Sequence, residues 1–207
     1  MKTYRPDLCF KGARRYVHGT TLYEHILGGA ESVGLGKPAG ALKIDFRAML
    51  CEQADLHYRD PGEAATVPAA AAVGFGLTIE GEAVGGWVVA NGGPVRTIRP
   101  YAEDEILSRA RIRDAEATLS AVPAYSPIEI STCLAVRLHQ SLYPPPAGMK
   151  WLLARVALKR PLADADRATL AVRLRRRIGD TFTDTGIAAG GEELGSFGFF
   201  LTRVDDS

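Results

Sequence analysis

Two pairs of stretches in this chain match each other in order and in spacing, and a repeat constrains a fold more than any single motif. Residues 38–50 read PAGALKIDFRAML and residues 146–158 read PAGMKWLLARVAL. Pro-Ala-Gly, an arginine (Arg47 and Arg155) and the closing Leu50 and Leu158 coincide at an offset of 108. Residues 81–89, GEAVGGWVV, match residues 191–199, GEELGSFGF, at an offset of 110, and Gly76-Leu77 matches Gly186-Ile187 at the same offset. Such matches predict a duplicated chain, although Gly-rich turns also converge on common chemistry.

Both halves carry the same run of patterns. In the first, Leu22, Ile26, Leu27, Ala30 and Val33 recur at helical spacing, and glycines and Pro38 stop the helix. Leu42, Ile44, Phe46, Ala48 and Leu50 then alternate with Lys43, Asp45 and Arg47, the pattern of a half-buried strand. Further strands are expected at Ala54–Arg59, Val73–Glu80 and Val84–Asn91. In the second half, Ile130, Leu134, Leu138 and Leu142 mark a helix ended by Pro144-Pro145-Pro146. Strands are expected after it at Lys150–Leu158, Ala168–Arg177, Asp180–Ala188 and Leu194–Arg203, with an earlier one near Ile106–Arg113. The connection falls within Gly92–Ala102, which gives repeats 1–97 and 98–207. Each unit is an α+β arrangement in which the apolar stripe of one helix must cover a face of an antiparallel sheet.

Charge and composition exclude several classes of function. Twenty-five basic residues face 24 acidic ones, a net charge of +1, so neither nucleic acid nor an anionic membrane is expected as a partner. Cys9, Cys51 and Cys133 are odd in number and widely spaced, which fits reduced thiols in a cytoplasmic protein and no metal site. The N-terminal MKTYRPDLCFKGARR lacks the apolar stretch of a signal peptide, and no uncharged run approaches a membrane span of about 18 residues.

The order of elements, twice over, resembles the hotdog fold, in which a curved antiparallel sheet wraps a central helix. A duplicated chain would be a double hotdog. Residues 76–91, GLTIEGEAVGGWVVAN, are similar to the hairpin of hotdog thioesterases, and His18-Gly19 resembles the His-Gly at the head of the helix in thioesterases acting on coenzyme A esters. The chain departs from that pattern at Thr20, where a second glycine is usual, and at Leu27, in a region that commonly holds an acidic residue. The Gly-His-Phe-Pro stretch of hydroxyacyl dehydratases and the Gly-Asp-x-Asn-Pro-x-x-His of hydratases are absent. The resemblance implies an enzyme on acyl thioesters, with acyl-CoA or an acyl carrier protein as partner and no cofactor beyond the coenzyme A or phosphopantetheine of the substrate. It also implies pairing of two repeats, and allows a homodimer of double hotdogs. Hydrolysis leads; dehydration, isomerisation or decarboxylation of a carrier-bound chain, and non-catalytic acyl-CoA binding or scaffolding, stay open.

The resemblance places a thioester at the helix N-terminus, in a tunnel between the halves, with His18 as general base. Backbone N–H groups and the positive helix end can hold an oxyanion there. Gly19 would admit the substrate, Thr20 or Thr21 would cap the helix, and Tyr16 and Glu24 would complete the near side. From the second half come Glu129, to orient the imidazole or to serve its own helix start, with Ser131 and Cys133 as further substrate contacts. Ser126-Pro127 stands where His18-Gly19 stands in the first half, which suggests a lapsed second site. Arg173, Arg175 and Arg177 alternate and so are expected on one strand face, either meeting carrier phosphates or guarding a sheet edge.

Overall fold

A computed structural model describes residues 1–63 and 66–203. The chain forms two compact units, Met1–Tyr101 with Ala157–Pro161, and Ala102–Val156 with the residues from Leu162 onward.

The first unit contains β1 (Lys2–Tyr4), β2 (Cys9–Lys11), α1 (Gly19–Ser32), β3 (Pro38–Phe46), β4 (Glu52–Tyr58), β5 (Val73–Ile79), β6 (Glu82–Pro94) and β7 (Thr97–Arg99). Its antiparallel strands lie in the order β1-β4-β6-β5-β3. The helix buries Leu22, Tyr23, Ile26 and Ala30, and the sheet supplies Ile44, Leu56, Tyr58, Val73, Leu77 and Val88 to the same core. Each large aliphatic side chain so buried contributes roughly 1.5–3 kcal/mol. Tyr58 binds helix to sheet more specifically: its hydroxyl donates to the Ile26 carbonyl at 2.9 Å. Gly29 makes that approach workable, since a Cβ there would collide with the Tyr58 hydroxyl and the Tyr4 ring. Outside the main sheet, β2 and β7 form a parallel pair with Lys11 opposite Arg99.

The second unit contains α2 (Glu103–Leu107), β8 (Ala110–Arg113), β9 (Glu116–Leu119), α3 (Pro127–Leu142), β10 (Met149–Leu158), a 3₁₀ turn at Asp164–Thr169, β11 (Leu170–Ile178), β12 (Phe182–Ala189) and β13 (Glu192–Arg203). The strand order is β10-β13-β12-β11-β9-β8. Ile130, Leu134 and Leu138 of α3 share the core with Val172, Ile187, Phe197 and Phe199. A polar residue lies in this core: His139 is fully buried, with Nε2 shared between Thr185 Oγ1 at 2.8 Å and Thr183 Oγ1 at 3.2 Å, while Nδ1 has no partner. Its ring lies tilted against Trp151, with centroids 5.3 Å apart. The chain's two tryptophans are divided between the units, Trp87 on β6 and Trp151 on β10.

The matched stretches occupy matching elements. The Pro-Ala-Gly stretches are the exception, since Pro38 is the first residue of β3 whereas Pro146-Ala147-Gly148 forms the turn before β10, which begins at Met149. The hairpins β5–β6 and β12–β13 close on two-residue turns with both φ values positive, Glu80 (52°) with Gly81 (85°) and Gly190 (58°) with Gly191 (84°). These are type I′ turns, whose twist matches that of the flanking strands.

The units differ, however, in how the hairpin is set into its sheet. In the first, the later strand β6 lies against β4; in the second, the earlier strand β12 lies against β11. Connection length accounts for the difference. Only Gly179–Thr181 separates β11 from β12, and Gly179 takes φ 57°, so these strands must be neighbours. The fourteen residues 59–72 let β5 cross to the far side of β6. Four smaller corrections follow. The strand expected through Leu50 ends at Phe46, and Ala48 is exposed because Arg47 and Ala48 bond back to the Ala72 carbonyl. The segment near Ile106–Arg113 begins as α2 and becomes β8 only at Ala110. The stretch Gly92–Ala102 is part strand, holding the end of β6 and all of β7. The short strands β1, β2 and β9 were not expected.

Candidate functional site

His18 is the N-cap of α1, with extended backbone (φ −67°, ψ 142°). Its carbonyl accepts from Thr21 N–H at 2.9 Å and Leu22 N–H at 3.2 Å, so the N–H groups of Gly19 and Thr20 precede the first intrahelical bond. Neither threonine caps the helix, contrary to expectation, because both lie inside its first turn. Thr20 is fully buried, and its Oγ1 meets Lys11 Nζ at 2.9 Å and His18 Nδ1 at 2.7 Å. Thr21 Oγ1 is buried without a partner.

The charge around His18 is positive. Lys11 is only 6% exposed, unusual for a lysine. Its Nζ lies 5.4 Å from the centre of the Tyr101 ring, the Arg14 guanidinium 5.3 Å from it, and the His18 ring 5.6 Å from it. No acidic residue stands in the first turn of α1. Burial chiefly, then Arg14 and Lys11, hold the imidazole well below its ordinary pKa of 6.5. His18 is therefore neutral across the physiological range.

The β2–β7 pair builds this cluster. Gly12 N–H donates to the Arg99 carbonyl at 2.9 Å, which brings Tyr101 beside the residues after β2, and Val17 N–H bonds the Leu50 carbonyl at 2.7 Å to fix the approach to α1. Lys11, Arg14 and Tyr101 were missed in the sequence because nothing local distinguishes them. A parallel pairing between residues about ninety apart leaves no short-range pattern.

The other expected residues are placed variously. Tyr16 and Gly19 are half-buried next to His18, whereas Glu24 is exposed. Glu129 is engaged at its own helix start: its Oε2 accepts from Ser126 N–H and Oγ, each at 3.0 Å, in a capping box. Ser126 is indeed the N-cap of α3, as His18 is of α1. Ser131 is buried and its hydroxyl donates to the Pro127 carbonyl at 2.7 Å. Cys133 is buried and forms no disulfide.

Arg173, Arg175 and Arg177 of β11 do not share a face. A bulge at Arg175, between Leu174 and Arg176 in the register, reverses the alternation. Arg173 and Arg175 border an open depression of about 490 Å³ floored by Ala171, Gly186 and Ala188. Arg175 pairs there with Glu193 at 2.8 Å. Arg177 instead covers the Tyr143 ring at 4.5 Å and bonds Asp180. Among the described residues no cluster of His, Cys, Asp and Glu is arranged to hold a metal, and no helix is long and apolar enough to cross a membrane.

No protein-family model matches the sequence, and no curated protein matches it. Solved structures do resemble it over most of its length. A pyran synthase domain from module nine of the sorangicin pathway is 14% identical, with a TM-score of 0.47 over 98% of this chain and 93% of that one. An acyl-ACP thioesterase from Bacteroides thetaiotaomicron VPI-5482 is 11% identical, with a TM-score of 0.45 over 97% of each chain. The dehydratase domain of MlnD from Bacillus amyloliquefaciens is 11% identical, with a TM-score of 0.43 over 92% of this chain and 85% of that one.

Proposed function

We propose that this chain acts on acyl thioesters, binding the substrate carbonyl against the N-terminus of α1 beside His18. The observation that carries the reading is the composition of that helix start. A neutral imidazole, the leading N–H groups of the helix and the charges of Lys11 and Arg14 converge where negative charge would form on a thioester oxygen. Such a site lowers the barrier to any reaction passing through an oxyanion or enolate. We read the chain as a tandem double hotdog, with repeats 1–97 and 98–207. Coenzyme A or an acyl carrier protein delivers the acyl group, and carrier phosphates are assigned to Arg173 and Arg175. Glu129 keeps the capping role that its hydrogen bonds describe.

Hydrolysis is the first reaction to test. Water adds to the polarised carbonyl, the oxyanion collapses, and the thiol leaves with a proton. The positive charge beside His18 favours a second reading, decarboxylation of a thioester bearing a β-carboxylate. There the bond to the carboxylate breaks, its electron pair passes into an enolate held by the same donors, CO₂ leaves, and the enolate takes a proton from water while the thioester survives. Incubation with acyl-CoAs of several chain lengths, including a malonyl-type ester, separates the two: free thiol reports hydrolysis, and loss of CO₂ by mass with the thioester intact reports decarboxylation. Turnover by either route, lowered about 100-fold or more in His18→Ala, is expected. Inertness toward every ester, with no binding, would remove the reading.

A further inference from the structure

Lysine carries donors and no acceptor, so in the 2.9 Å contact between Lys11 Nζ and Thr20 Oγ1 the threonine oxygen accepts. Any further bond that Lys11 makes leaves this direction unchanged. Thr20 has a single hydroxyl hydrogen, and the one other described partner of its oxygen is His18 Nδ1 at 2.7 Å. If Nδ1 also donated, the hydroxyl hydrogen would lie inside a fully buried residue with nothing to bond. An unsatisfied buried polar group of this kind costs roughly 1–3 kcal/mol. The arrangement that satisfies every group runs Lys11 N–H to Thr20 Oγ1, then Thr20 O–H to His18 Nδ1.

A neutral imidazole carries one proton, and Nδ1 is the acceptor, so the proton is on Nε2. We infer that Lys11 is a positioning residue which, through Thr20, holds His18 as an Nε2–H hydrogen-bond donor to the substrate oxygen and not as a base. This inference rests on the acyl-thioester reading for its functional meaning and replaces the general-base role expected of His18. The ammonium also opposes a second positive charge on the ring, so protonation of Nδ1 would both break the relay and place two cations around one hydroxyl. A site built this way polarises a carbonyl and steadies an oxyanion or enolate. The base for an attacking water then comes from elsewhere, and decarboxylation needs none.

Nitrogen-15 NMR of the histidine rings in the full chain, with His18→Gln to identify the signal, reads the tautomer directly. In the wild type, His18 is expected to show a bare Nδ1 and a protonated Nε2. Thr20→Val should release the ring into a mixture of tautomers, and Thr20→Ser should restore the wild-type signal. Lys11→Met, close in size and without charge, should raise the pH at which His18 protonates. On the substrate that proves active, Thr20→Val and Lys11→Met should lower kcat about tenfold or more with KM little changed, and Thr20→Ser should stay near wild type. A proton on Nδ1 in the wild type would overturn the inference, as would Lys11→Met and Thr20→Val variants that fold normally and leave the ring signals and the pH profile untouched. A chain inert toward thioesters yet showing the Nε2–H signal would remove the acyl-thioester reading and leave the relay standing.

Discussion

At the scale of single residues, the chain keeps two histidines neutral by different means. His18 owes its low pKa to burial reinforced by Arg14 and Lys11, whereas burial alone brings His139 down to about 4. The consequence for stability has a definite sign. The unfolded chain protonates His139 near the ordinary value of 6.5, and the folded chain only near 4. Stability from this residue is thus complete above pH 6.5 and lost progressively as the pH falls toward 4. A difference of this size corresponds to about 3 kcal/mol, discounted where the fold relaxes around the ring. Denaturant titrations from pH 7 to 4 should show that loss, and His139→Leu should flatten it. An equally steep loss in the variant would assign the acid sensitivity to other groups. For His18 the expectation concerns rate: its own protonation should put no transition in kcat/KM near pH 6.5, since burial, Arg14 and Lys11 hold the ring well below that value.

At the scale of elements, the two helices begin alike in backbone and differently in chemistry. Ser126 and Glu129 satisfy the start of α3 reciprocally, while the start of α1 lacks a side-chain cap. Glu129→Gln and Ser126→Ala should each cost about 1 kcal/mol in chemical denaturation and leave turnover unchanged. A collapse of turnover in a stably folded Glu129→Gln protein would give that carboxylate a direct part in the chemistry. Both helices and the long strands were legible in the sequence, because apolar period and turn chemistry are local signals. The type I′ turns at Glu80-Gly81 and Gly190-Gly191 made one of the repeat matches visible for that reason. The register of β11 was not legible, since a bulge at Arg175 leaves no mark in an alternating Arg-rich run. Nor was the β2–β7 pair, which is too short and too distant in sequence to betray itself. Of the site, His18 and its neighbours could be singled out, but Lys11 could not, because a lysine reads as a surface residue until the fold buries it.

At the scale of the whole chain, both units carry a helix followed by four strands, while the hairpin has different neighbours in each. The spacing of β11 and β12 already implied this: strands three residues apart pair with each other, whatever their counterparts do. Proton NOEs across the sheet should join Val172 to Ile187 in the second unit and Leu56 to Val88 in the first, following the two registers. Contacts between β11 and β13 in place of β11 and β12 would restore an identical order in both halves. The separation of the two indoles has a practical result of its own. Trp87 is 8% exposed and Trp151 is 4% exposed, so each emits from the interior of a different unit. Single-tryptophan proteins, Trp87→Phe and Trp151→Phe, would let intrinsic fluorescence follow the melting of each half separately, and quenching of Trp151 on acidification would register protonation of the histidine beside it.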